Sequence, residues 1–148
     1  MPADSSVVDA AMVATLVGDA TLAGYLPDGV FFDEAPQGAT RFAIVSQQDH
    51  EDTYTQDPDV SRSAFETFVY LVKAVVMGTS GSASGSNVKD AAARIHALLQ
   101  GGTLGSLTGY RLRNLQRLER VRYTEDDDQS DRRWQHRGGL YQVLVEPL

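Results

Sequence analysis

The chain has 148 residues, 42% of them apolar and 22% charged, which is enough for one domain with a sizeable core and short for two. It contains no cysteine, which excludes a disulfide framework, a thiolate nucleophile and a Cys-ligated zinc site. A net charge of −7 opposes general nucleic-acid binding, because affinity for phosphates comes from Lys and Arg.

In chain order, the first element is a helix from Ser6, with Asp9 as the other half of a capping pair and Val8, Met12, Leu16 and Val17 at helical spacing. Gly18-Asp19 breaks it, and "ATLAGYL" reads as a second short turn that ends before Pro27. A strand over Val30 to Phe32 follows. Then come an acidic segment with Asp33 and Glu34, a turn set by Pro36 and Gly38, and a second strand from Arg41 to about Ser46. The polar run "QQDHEDTYTQDPD" reads as a long hairpin excursion out of the body of the fold. Strand three, "FETFVYLVKAVVM" from Phe65 to Met77, is apolar on both faces from Phe68 onward, the pattern of a strand covered on both sides.

"GTSGSASGSN" is Gly or Ser at seven of ten positions and reads as a flexible connector. It lacks the Gly-Lys-Ser/Thr ending of a phosphate-binding loop. The next helix carries the stripe Val88, Ala91, Ala92, Ile95, Leu98 and Leu99, capped by Asn87 or Ser86 and stopped by Gly101-Gly102. In "GYRLRNLQRLERVRY", Tyr110 and Leu112 lie on one phase and Val121 and Tyr123 on the other, which places a bulge or bend between Asn114 and Leu118. A helical reading through Leu112, Leu115, Leu118 and Arg122 competes with it. "RRWQHRGGLYQVLVEP" closes the chain as a last strand. The expected fold is α+β, a mostly antiparallel sheet of about five strands with two main helices in the order αβββαββ. It forms one domain over residues 1–148, with extended loops at about 47–60 and 78–87.

Residues 1–100 carry −8 and residues 101–148 carry +1, and every basic residue in the second segment is an arginine. Guanidinium forks favour planar carboxylate partners, so Arg111, Arg113, Arg117, Arg120 and Arg122 are candidate contacts to another copy or a partner, with Asp49, Glu51, Asp52, Asp57 and Asp59 as the acidic counterpart. Solvated strand faces and internal ion pairs account for the same asymmetry. The acidic cluster lies in polar surroundings without the spacing of a calcium loop, His50 stands alone, and His96 has no second ligand one helical turn away. No metal, cofactor or catalytic residue is expected, and the chain reads as a non-enzyme. No apolar run reaches the ~20 residues of a membrane span, and "MPADSSVVDAAM" lacks the basic start of a secretory signal, so synthesis in a cytoplasm and no membrane partner are expected.

The ordered set "LVGDATLAGYLPDGVFFDEAPQGATRFAIVS", "VKDAAARIHALL", "GYRL" and "GGLYQVLVEP" resembles the tail-completion, or tail-terminator, proteins of long-tailed bacteriophages and related tail-like particles. Both polar loops are long for that family. The resemblance implies an α+β subunit that forms a ring, typically a hexamer, at the head-proximal end of the virion tail. Such a ring caps the tail tube, ends polymerisation of the tube protein, and docks to a head-side neck or connector protein. A neck or tail-associated adaptor of the same domain type, docking to a ring made by other proteins, is the alternative. On either reading Pro36 and Gly38 set a turn, Asp33 and Glu34 are turn or interface charges, and no specific nucleic-acid binding is implied.

Overall fold

A long run of β-branched and aromatic residues between two antiparallel partners forms the centre of the structure. The computed structural model describes residues 6–54, 64–79, 85–105, 107–126 and 131–148. Helices α1 (Ser6–Val17) and α2 (Ala20–Tyr25) precede strands β1 (Val30–Phe32), β2 (Arg41–Thr53) and β3 (Phe65–Thr79). Helix α3 (Gly85–Leu99) and strands β4 (Tyr110–Asp126) and β5 (Arg132–Pro147) complete the chain. The five strands form one sheet in the order β1-β2-β3-β5-β4, antiparallel throughout except for the parallel β1–β2 pair. The fold is therefore α+β with a mostly antiparallel sheet.

Alternation along β3 divides it between two environments. Phe68, Tyr70, Val72 and Ala74 point to one face and are fully buried against Val8, Met12 and Leu16 of α1 and Val88, Ala91, Ile95 and Leu99 of α3. On the opposite face Val75 is buried with Phe42 and Ile44 beneath Phe31, Ala35, Ala39 and Trp134. Val69, Leu71 and Met77 on that side are only half-buried. The chain thus covers one face of its central strand completely and the other over one end.

Three element boundaries differ from the sequence expectation. "ATLAGYL" is a helix rather than a turn, because the Asp19 carboxylate caps it by accepting from Leu22 N–H at 2.9 Å. The order is therefore ααβββαββ, with three helices. Strand β2 does not end near Ser46. It continues through the polar run to Thr53, paired residue by residue with β3 after a bulge at Gln48. Strand β3 likewise runs to Thr79 and α3 begins at Gly85, so the Gly/Ser connector contracts from both ends. Residues 55–63 and 80–84, with Asp57 and Asp59, lie outside the described residues.

Candidate functional site

Strand β4 controls where the arginines go. It departs from regular pairing with β5 twice, between Leu112 and Asn114 and between Arg117 and Glu119, where the sequence reading placed a single bulge. Each extra residue reverses the alternation, so two of them restore it. Leu115 opposite Val143 and Arg117 opposite Tyr141 fall on the helix side, as do Arg120 opposite Gly139 and Arg122 opposite Arg137. The helical alternative for this segment is overturned by its continuous pairing with β5.

The five expected arginines separate into two groups. Arg111 and Arg113 share one carboxylate, Glu146 Oε2, at 3.9 and 3.7 Å. Arg117, Arg120 and Arg122 instead line a cleft of about 500 Å³ between α3 and the β4–β5 ribbon, together with Lys89, His96 and Arg137. The sequence reading missed Lys89 and Arg137 as members of this group, since they come from other elements and meet the arginines only through the sheet order. Val121, Ala92 and Ala93 give the cleft an apolar lining. Hydrogen bonds fix its geometry at the helix end: Gln100 Oε1 accepts from Arg117 N–H at 2.8 Å, and Leu115 C=O accepts from Gly101 N–H at 3.0 Å. Gly139 makes room for the stem of Arg117, because a Cβ there would lie 2.7 Å from Arg117 Cδ and 2.8 Å from the Glu119 carbonyl oxygen. His96 reports the local field. Burial, then the charges of Arg117 and Arg120, hold its imidazole below the usual histidine range.

The acidic groups gather at the other edge of the sheet. Beyond Phe32, which pairs with Val45, β1 ends and β2 has no further strand on its outer side among the described residues. Asp49, Glu51 and Asp52 project from this stretch and are exposed. Asp9, Asp33 and Asp49 border a shallow depression at its base. Within it Asp9 accepts the Tyr70 hydroxyl, which burial pushes well above the usual tyrosine range.

Asp33 has an architectural place. Its backbone adopts φ of 66°, its N–H donates to Val45 C=O at 2.8 Å, and its carboxylate accepts the Ser46 hydroxyl at 3.1 Å. Asp28 closes the same corner by accepting from Thr40 N–H and Arg41 N–H, which hold its carboxyl below the ordinary range. Between them, Pro36 C=O accepts from Ala39 N–H at 3.2 Å, and Gly38 takes φ of 92°.

His50 does not stand alone in three dimensions. Antiparallel pairing brings Glu66 across from Asp52, so His50 Nε2 lies 3.1 Å from Glu66 Oε1 and 3.4 Å from Asp52 Oδ1. The imidazole stacks on Phe68 at 4.2 Å. Glu66 is buried and its Oε2 has no hydrogen-bond partner. One nitrogen and two oxygens within 4.8 Å of one another form a donor set that a divalent cation can use. Only the strand register reveals it.

Among solved structures, a chain described as "Virion of native gene transfer agent (GTA) particle" is similar to this one with a TM-score of 0.61 and 24% identity. The match covers 97% of this chain and 99% of that chain. At that identity the likeness establishes a shared fold. No family model matches the chain, and no curated protein matches it.

No helix among the described residues is long and apolar enough to cross a membrane.

Proposed function

We propose that the chain is a non-enzymatic structural subunit of a phage-like virion, and that it forms the ring capping the tail tube, ending tube polymerisation and joining tail to head. The observation that carries this reading is the likeness, over 97% of this chain and 99% of the other, to a chain from a gene transfer agent virion. The tail-terminator resemblance of the sequence supplies the finer assignment: a ring of copies, a tail-tube protein on one side and a neck or connector protein on the other. In such a ring Arg111, Arg113, Arg117, Arg120 and Arg122 and the acids Asp49, Glu51, Asp52, Asp57 and Asp59 are the candidate contacts between neighbours. Opposite charge on opposite sheet edges suits head-to-tail contacts, which close into rings when the rotation per copy permits.

Depletion of the subunit from particle-producing cells tests the reading by electron microscopy. The expected result is tails of uncontrolled length separated from filled heads, with purified subunit forming closed rings. Tails of normal length joined to heads in its absence would overturn it. A subunit that remains monomeric, yet is still required for joining, would favour the adaptor reading.

A further inference from the structure

Most described arginines outside the cleft sit beside carboxylates. Arg94 chelates Asp19, Arg111 and Arg113 share Glu146, and Arg133 Nε donates to Asp126 Oδ1 at 2.8 Å. The cleft breaks this pattern. Lys89, Arg117, Arg120, Arg122 and Arg137 converge there from α3, β4 and β5, and among the described residues no carboxylate lines it. Gathering like charges costs free energy that only an anionic partner or solvent can offset. A volume of about 500 Å³ admits several side chains rather than a single small ion.

We propose that the cleft receives the carboxylates of the β2–β3 hairpin of a second copy of this chain, with Asp49 and Glu51 entering among Arg120, Arg122 and Arg137. This contact rests on the ring reading above and gives it a specific geometry. Charge complementarity selects the occupant. The hairpin carries Asp49, Glu51 and Asp52 in exposed positions, and its strands also expose the aromatic rings of Tyr54 and Phe65. Those rings match the apolar lining at Ala92, Ala93 and Val121, and Leu118, bulged next to the lining residue Arg117 in sequence, is 50% exposed. Hairpin and cleft lie towards opposite edges of one sheet, so a copy that offers its hairpin to one neighbour keeps its cleft open for another. Nucleic acid is the poorer occupant, because the chain as a whole carries −7 whereas the hairpin is present once for every cleft.

A charge swap tests the contact. Sedimentation velocity at low ionic strength is run on wild type, on Arg120→Glu/Arg122→Glu, on Asp49→Lys/Glu51→Lys, and on an equimolar mixture of the two variants, with circular dichroism confirming each fold. The expected result is self-association weakened at least tenfold in either variant alone and restored in the mixture, where each altered hairpin meets a cleft of opposite sign. If glutamates in the cleft unfold the subunit, Arg120→Gln/Arg122→Gln replaces them and is expected to weaken association in the same direction. A wild type that associates while the reversals leave it unchanged overturns the contact and leaves the ring reading standing. A wild type that remains monomeric at every concentration removes both. Duplex DNA that binds wild type and is lost on Arg120→Glu/Arg122→Glu, with self-association untouched, assigns the cleft to nucleic acid and overturns the proposal.

Discussion

Asp19 does two jobs through one carboxylate. It caps α2, and it takes Arg94 Nε and Nη2 at 2.8 and 2.6 Å, tying α2 to α3. Arg94 first, against an opposing cost of burial, brings its carboxyl down to about 2. Its contribution to stability is therefore complete above the ordinary carboxylate value near ~4 and lost as pH falls from there toward 2. Asp19→Ala is expected to cost about 1–2 kcal/mol in denaturant unfolding at neutral pH, and much less at pH 2. His136 sets a second, separate window. Its ring is buried and stacked on Tyr123 at 4.2 Å, and burial, then Lys73, hold it below the usual histidine range against the pull of Glu125. A depressed histidine favours the fold above about 6.5 and penalises it as pH falls through the lower folded value. His136→Gln is expected to flatten the loss of melting temperature between pH 6.5 and 4.5; an unchanged slope would show that His136 is not the group responsible. Neither role was legible in the sequence, because Asp19 read only as a helix break and His136 as one position in an imperfectly alternating strand. The Gly138-Gly139 pair was likewise opaque. A Cβ on Gly138 would lie 2.0 Å from the Val72 carbonyl oxygen, a contact that only pairing of β5 with β3 creates.

At the level of elements, apolar periodicity located what packs and failed where strands run on without packing. β1, the start of β2, β3 and β5 were legible because their alternation or apolar density reflects burial. From Asp49 to Thr53, every residue of β2 is polar and none is buried, so nothing in its composition distinguishes it from a loop. Only hydrogen bonding to β3 makes it a strand. Hydrogen exchange is expected to show slowed amides in the stretch from Gln47 to Thr53 where they face β3; exchange at the rate of an unstructured peptide throughout would contradict the register. One bulge or bend of β4 was expected between Asn114 and Leu118, near the second of the two observed, but the phase change that suggested it does not occur. Two bulges cancel, so Tyr110, Leu112, Arg120 and Arg122 share the helix side, whereas Val121 and Tyr123, opposite Gly138 and His136, face the other way.

Across the whole molecule, the segregation of acidic body from arginine-rich end was visible as a count before any fold was known, whereas its meaning depended on topology. The sheet order sends Arg111 and Arg113 to an internal partner and collects the others with Lys89 and Arg137. The same order has a consequence for biosynthesis. β3, the central and most apolar strand, hydrogen-bonds on one side to β2, already made, and on the other to β5, which is translated only after α3 and β4. Pairing across so wide a sequence separation is slow, and until it occurs a nascent chain presents an unpaired apolar edge. While the ribosome is still adding α3 and β4, the half-made sheet is a template for aggregation, and chains released before Arg132 keep that edge permanently. A cell making many copies at once therefore has reason to shield each chain with a chaperone until translation has passed β5.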